Sequence, residues 1–307
     1  LIRPSIENEL AAEMKEEADR VAIGIFSDNL RALLLAAPLP GRRILAIDPG
    51  YRTGCKVVAI DEQGTLLDDT VIYPTEPRRD TEGATRTLSQ MISKYRLDTV
   101  ALGDGTASRQ TEDFLRRSGL VKSDSLYVVS ENGASVYSAS DIARREFPDK
   151  DVTVRGAVSI GRRLIDPLAE LVKIDPKSIG VGQYQHDVDQ TGLREALDYT
   201  VMSCVNAVGV DLNTASARLL EYISGIGPVM ASRIVEYRQE NGPFADRKSL
   251  LKVPRLGAKA FEQAAGFLRV RDGANPLDNT GIHPESYPVV KAMASSAGIG
   301  IDRLVAD

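Results

Sequence analysis

The 307-residue sequence has no tryptophan, only two cysteines and two histidines, and just 5% aromatic residues. Cys55 and Cys204 lie far apart in apolar runs, so there is no basis for a disulfide framework. With His186 and His283 as the only imidazoles, a Cys/His zinc site has no basis either. Scarce aromatics equip the chain poorly for gripping single strands by base stacking. No run of about 18 uninterrupted apolar residues occurs, which excludes a membrane-spanning helix. The opening LIRPSIENEL lacks the apolar stretch of a secretory signal. The expected setting is therefore the reducing cytoplasm, with no membrane partner. The first residue is not Met, which reads as an excerpt of a longer protein.

What is present is an ordinary globular composition, 43% apolar, with 38 basic against 43 acidic residues and a net charge of −5. At about 150 residues per domain, that length predicts roughly two domains. The charge is uneven. Between Leu212 and Asn275 ten basic residues face six acids, a net of +4, which leaves −9 for the remainder. An acidic body carrying a basic module is a different object from a uniformly acidic protein.

The spacing predicts one long helix over 5–36, with Ile6, Leu10, Met14, Val21, Ile25 and Leu33 on a single buried face. Pro38, Pro40 and Gly41 end it. RILAID (43–48), CKVVAID (55–61) and TLLDDTVIYP (65–74) read as three antiparallel strands joined at turn formers. A helix near 81–95, a strand over 98–104, a helix near 109–118 and a strand over 125–130 follow. Helices near 133–146 and 152–173 complete the run. Strands alternating with helices predict an α/β layer with a partly parallel sheet. From about Ile174 strand signals stop. Leu197, Val201, Val205 and Val208 mark one buried helix, and beyond Asp211 short helices separated by Gly- and Pro-containing turns give an all-α pattern.

Acids gather at the strand ends. Asp48 closes the first strand just before Pro49-Gly50, where glycine leaves room for a phosphodiester. Asp104 closes the strand over 98–104, and Glu131 follows SLYVVS, at the carboxyl edge where open α/β sheets bind ligands. Asp166, in RRLIDPLAEL, lies on a helix expected to pack back over that edge. Converging carboxylates would hold one or two divalent cations, Mg²⁺ or Mn²⁺, for phosphodiester cleavage. Three or four of Asp48, Asp104, Glu131 and Asp166 would make up that set. Each acid also has a plainer role: Asp-Pro-Gly makes a turn, and Asp166-Pro167 starts a helix.

Gly225-Ile226-Gly227-Pro228 separates two helical stretches. Its glycines suit a tight turn with positive φ, and Pro228 suits the first turn of a helix. That helix, with Val229 at its start and Arg233 about a turn later, would aim free N–H groups and a positive dipole end at a phosphate. A second copy follows, with Ser249 as a cap, Pro254-Arg255-Leu256-Gly257 as the turn and Lys259 near the next helix start. Two such hairpins grip a backbone at two points without reading sequence. Other features carry less. GVGQYQHD (180–187) has no evident chemistry, and His186 beside Asp187 is expected to be a buried pair. Arg162-Arg163 suits either a phosphate or neighbouring carboxylates.

The strand order, with IDPG at 47–50, resembles the ribonuclease H-like fold, and within it the resolvase-like domains of the YqgF type. GYRTGCKVVAID (50–61), VSENGASVYSAS (129–140), RRLIDPLAELVKIDPKSIGVGQYQHDV (162–188) and CVNAVGVDLNTAS (204–216) together resemble the Tex family of bacterial transcription accessory proteins, over essentially the whole chain. The resemblance implies an α/β ribonuclease H-like (YqgF, resolvase-like) domain followed by an all-α helix-hairpin-helix domain. It implies the end of an N-terminal helical region at 1–40, the YqgF domain at 41–175 and a connecting helical segment at 176–211. The tandem helix-hairpin-helix domain would then occupy 212–275, and 276–307 a loop and short helix leading to an S1 domain that this chain lacks. It puts Asp48 on the first resolvase acid and Asp166 on the helix acid, which makes these two the expected metal ligands, with either Asp104 or Glu131 as the middle acid of the catalytic set. Where resolvases tend to carry a second helix acid stands Ala169, with Glu170 one step late. The implied function is sequence-tolerant binding of RNA or DNA in transcription, with a degenerate acid site and no required cofactor. Two alternatives stand beside it: a metal-dependent nuclease, and a protein scaffold on the transcription machinery.

Overall fold

The computed structural model describes residues 2–271 and 273–306; Asp272, one of the six acids counted above, lies outside the described residues. The chain divides into two compact units, residues 1–197 and 198–307. The first opens with α1 (Ile2–Leu34), then β1 (Ile44–Asp48), β2 (Cys55–Ile60), β3 (Leu66–Ile72), α2 (Thr81–Tyr95), β4 (Thr99–Gly103), α3 (Ser108–Ser118) and β5 (Leu126–Val129). It continues through α4 (Ala134–Ala139), α5 (Asp141–Glu146), α6 (Val152–Ile165) and α7 (Pro167–Leu171).

The five strands form one mixed sheet in the order β3-β2-β1-β4-β5, with β2 antiparallel to both its neighbours and β4 and β5 parallel to β1. Central β1 is an unbroken apolar run because both its faces are covered. Leu45 and Ile47 pack with Leu88, Met91, Phe114 and Leu115 of α2 and α3, while Ile44 and Ala46 pack with Ala157, Val158 and Ile160 of α6. Gly161 lets α6 lie close on the sheet: a Cβ there would stand 2.8 Å from the Ala46 Cβ and 2.7 Å from Ile60 Cδ1. The parallel register sets Ile47 opposite Leu102 and Gly103 opposite Val129, so Asp48, Asp104 and Glu131 all follow strand ends on one edge.

Three expectations change in this unit. On α1, Ile6, Leu10, Met14, Val21 and Ile25 are each at least half exposed, and the buried residues are Phe26, Leu30 and Leu34 near its end. The helices expected at 133–146 and 152–173 are each split in two. Ser140 caps α5, accepting from the Ala143 N–H (3.2 Å). Pro167, which has no N–H to continue α6, starts α7 instead. In the 180–187 loop the buried residue is Gln185, whose amide donates to Lys177 O (2.8 Å), whereas His186 is exposed.

α8 (Gln190–Val208) buries Leu193, Leu197, Val201, Cys204 and Val205, but Val208, expected with them, is 54% exposed. The second unit then holds β6 (Val210–Asp211), α9 (Ala217–Leu220), α10 (Pro228–Asn241), a 3-10 helix (Arg247–Lys252), α11 (Ala258–Ala265), β7 (Leu268–Arg269), α12 (Tyr287–Ala297) and α13 (Ile301–Ala306). Its helices repeat at an offset of thirty residues. Ser216 and Asp246 cap the lead-in helices, and the pairs Leu220/Leu250, Ile223/Val253 and Ile226/Leu256 are buried. The second cap is thus Asp246 and not Ser249; Ser249 instead donates to it through N–H (2.7 Å) and hydroxyl (2.6 Å). β6 pairs parallel with β7, one short bridge in an otherwise helical unit.

Residues 278–287 are bound to this repeat. Arg247, only 1% exposed, donates to the carbonyls of Leu268 (2.8 Å), Ile282 (2.7 Å) and Thr280 and to the Tyr287 hydroxyl (2.7 Å). Asp278 accepts from the Arg247 N–H (2.9 Å) and the Tyr287 hydroxyl (2.6 Å). One of the ten basic residues is therefore an internal clamp. With its flanks included, the second unit carries as many acids as bases, twelve of each. Among the described residues no helix is long and apolar enough to cross a membrane.

Candidate nucleic-acid interface and the acid edge

At the sheet edge, the Glu131 N–H donates to Asp104 Oδ1 (2.9 Å) and the Gly105 N–H binds the Glu131 carboxylate. The two acids thus clamp each other's loops. Among the described residues Glu131 Oε2 is buried without a partner. Burial, then repulsion from Asp48 and Asp104, push the Glu131 carboxyl above the ordinary range. Burial likewise raises Asp48, opposed by Lys56 directly across the β1–β2 pair. Arg163, 5% exposed, donates to the carbonyls of Ser130 (2.7 Å) and Asn132 (2.8 Å), fixing the turn that carries Glu131. Arg162 pairs with Glu146 and donates to Gly64 O (2.8 Å).

Asp166 does not join these acids. The α6 residue facing Asp48 is Gly156, where a Cβ would stand 3.6 Å from Asp48 Oδ2. Asp166 comes ten residues later, about 15 Å along the helix axis. There it is exposed and caps α7, its Oδ1 accepting from the Ala169 N–H (2.9 Å). The edge therefore gathers Asp48, Asp104 and Glu131, and α6 itself carries no acid. Among the described residues no group of three or more His, Cys, Asp or Glu is arranged to hold a metal ion. The residues present do not fit a Mg²⁺ or Mn²⁺ centre: the acids are not grouped as three ligands, Asp104 and Glu131 each give one oxygen to a backbone N–H, and the position opposite Asp48 has no side chain.

The hairpins are built the opposite way. Gly225 (φ +82°) and Arg255 (φ +66°) are the left-handed residues of two equivalent turns. Gly227 and Gly257 follow in extended conformation as the N-caps of α10 and α11, neither with a side-chain cap. The space beside both glycines is open. Gly225 differs: a Cβ there would meet Gln263 Cβ at 2.9 Å and Ala260 O at 3.1 Å, so it serves the packing of the first turn on α11. Val229 is 66% exposed, Arg233 half-buried, and Arg255 and Lys259 exposed.

Of the ten basic residues, Arg218 pairs with Glu221 (2.6 Å) and Arg271 with Asp211 (3.5 Å). Arg238 and Arg269 donate to nearby carbonyls, as Arg247 does. Arg233, Lys248, Lys252, Arg255 and Lys259 enter none of the ion pairs among the described residues. Lys252, exposed three residues before Arg255, is a candidate contact that sequence reasoning missed.

A mixed α/β domain with strand-end acids, followed by paired helical hairpins, defines a ribonuclease H-like module joined to helix-hairpin-helix segments. Residues 42–165 match the Tex protein YqgF-like domain, 205–269 a helix-hairpin-helix motif and 275–307 an HHH domain. The chain is 55% identical to Protein tex of Bordetella pertussis, covering 95% of this chain and 37% of that one. It is 54% identical to Transcriptional accessory protein Tex of Neisseria gonorrhoeae, covering 98% and 40%. It is 38% identical to human S1 RNA-binding domain-containing protein 1, covering 97% and 35%. The chain is homologous to the Tex proteins and has their YqgF-like and helix-hairpin-helix arrangement, spanning about two fifths of the length of these relatives.

Proposed function

We propose that this chain is a nucleic-acid-binding part of a transcription accessory protein, holding the phosphate backbone of RNA or DNA without reading its sequence. The observation that supports it is the repeated hairpin. Two uncapped helix starts, Gly227 and Gly257, open onto free space, and Lys252, Arg255 and Lys259 stand exposed around the second. Backbone N–H groups at a helix start favour phosphate geometrically and through the dipole. The accessory role in transcription is taken from the name of the Neisseria gonorrhoeae relative.

In this reading the acid edge does not hydrolyse and needs no cofactor. Asp166 caps its own helix, and Asp104 and Glu131 hold the loops they sit in. The test is the double variant Gly227→Asp/Gly257→Asp. Asp is a better N-cap than Gly, so folding is preserved or improved, while a carboxylate fills each phosphate seat. Binding to a duplex or single strand at low salt is expected to fall by about 100-fold, roughly tenfold per lost charge-assisted contact. Unchanged affinity overturns the proposal. Cleavage of a branched or duplex substrate in Mg²⁺ or Mn²⁺ that disappears in Asp48→Asn would instead establish the nuclease.

A further inference from the structure

A second polar opening lies in the first unit, between the end of β4 and the start of α3. It is a cavity of about 450 Å³ lined by Asp104, Gly105, Ala107, Ser108, Arg109, Gln110, Glu112 and Val128. Helix α3 begins there without a side-chain cap, behind Ala107 in the left-handed region (φ +69°). The Ser108 N–H is taken by Gly105 O (3.1 Å) and the Thr111 N–H by Ala107 O (3.0 Å), which leaves those of Arg109 and Gln110 at the helix start. The first turn carries no acid, and it carries Arg109, a cation at the positive end of the dipole. Arg109 is exposed and enters none of the ion pairs among the described residues. Ser108 is only 9% exposed, yet its hydroxyl makes no hydrogen bond among the described residues, and it faces the cavity. A hydroxyl open to the cavity on an otherwise buried serine, the N–H groups of the helix start and a guanidinium outside the ion pairs of the described residues make one wall of donors suited to an anion.

The opposite wall differs. Asp104 Oδ1 is held by the Glu131 N–H, which leaves the second carboxylate oxygen as an acceptor for a hydroxyl. Glu112 is drawn to Arg116 (2.7 Å), so its charge is neutralised within the helix. Val128, 52% exposed on edge strand β5, supplies an apolar surface. We infer that this cavity binds a phosphorylated ribose, the 5′-nucleotide unit common to free ribonucleotides and RNA. The phosphate sits on the α3 start with Ser108 and Arg109, a ribose hydroxyl on Asp104, and the base against Val128. No hairpin residue lines this cavity, so binding here does not depend on the proposed phosphate seats at Gly227 and Gly257.

The test follows the amide resonances of Ser108, Arg109 and Gln110 in the full 307-residue chain. The probes are 5′-AMP, adenosine, 2′,3′-dideoxy-AMP and a short 5′-phosphorylated RNA. Saturable shifts are expected with AMP or the RNA, and their persistence in the Gly227→Asp/Gly257→Asp variant separates this site from the hairpins. Saturation by both assigns it to a free nucleotide; saturation by RNA alone assigns it to a strand. Adenosine should bind about tenfold more weakly than AMP, for want of the charged contact. Arg109→Glu puts an acid where a helix start prefers one, so the fold is kept while AMP affinity drops by at least about tenfold. Asp104→Asn retains the acceptor for the Glu131 N–H and should erase the preference for AMP over its dideoxy analogue. The absence of saturable shifts with either AMP or RNA, or unchanged AMP affinity in Arg109→Glu, overturns the inference.

Discussion

The acid edge of the first unit and the hairpins of the second invite the same guess, that charged residues near chain turns meet a phosphodiester. The structure treats them oppositely. Asp104 accepts from Glu131 and Glu131 from Gly105 at the edge, and Asp166 accepts from Ala169 away from it, so these three acids each place an oxygen on a backbone donor, while Asp48 lies half-buried across from Lys56. At the hairpins, Gly227 and Gly257 leave two helix starts uncapped, and Lys252, Arg255 and Lys259 are exposed beside one of them. Polar groups satisfied within the fold hold it together, and those left open are available to a ligand. Residue type alone does not separate the cases; the partner of each group does.

The comparison also runs inside the repeat, where the largest effect is expected. Gly225 and Arg255 are equivalent left-handed residues, yet only Gly225 is pressed against α11. Gly225→Val should cost about 3 kcal/mol or more, from strained φ and from the clash with Gln263 and Ala260 O. Arg255→Gly relieves a left-handed non-glycine and should leave stability within about 1 kcal/mol of the parent, while weakening nucleic-acid binding. Urea denaturation of both variants checks the contrast. Equal losses would mean that the two turns are not built differently.

Next in size is the cap. Asp166→Ala should destabilise the first unit by about 1 kcal/mol through the lost bond to the Ala169 N–H, and Asp166→Asn by less. Neither should alter nucleic-acid affinity. A variant that kept its stability but changed binding would move Asp166 from the closed class to the open one. Smaller still are the single cations: Lys252→Ala or Lys259→Ala should each reduce the slope of log affinity against log salt by about 0.7–0.9. Val229→Lys, placing a cation at the exposed start of α10, should raise the slope by a similar amount.

Much of this contrast could be read from sequence, and the misses have physical causes. Strands and helices of the first unit follow from apolar runs broken by Pro and Gly, and the hairpins from Gly-x-Gly before a helix. On α1 the period was right and the face wrong. The helix has two apolar rows, and the 3.6 spacing of Ile6, Leu10 and Met14 cannot say which row the rest of the unit covers; it covers Phe26, Leu30 and Leu34. Asp166 was ambiguous because a cap and a metal ligand are the same residue, distinguished only by where the next N–H points. Arg247 counted as surface charge because burial of an arginine depends on carbonyls twenty to forty residues away, those of Leu268, Thr280 and Ile282.

The smallest effect probes whether the acid edge is wholly satisfied. Glu131 Oε2 is buried with no partner among the described residues, and burial and two neighbouring acids hold its carboxyl above the ordinary range. A raised folded-state value means that the folded chain binds this proton more tightly than the unfolded chain. The resulting destabilisation is fully present above the folded value. It fades as pH falls through that value and is gone below the unfolded value of about 4.3. Glu131→Gln keeps an oxygen for the Gly105 N–H and removes the charge. The variant should therefore be more stable than the parent at pH 7, by less than about 1 kcal/mol because the group is half-buried and solvent screens it. The gap should close as pH is lowered towards 4. Melting temperatures of both chains across that range decide it. A variant less stable at pH 7 would show that the Glu131 charge has a compensating partner, and the edge would then be as closed as its other acids suggest.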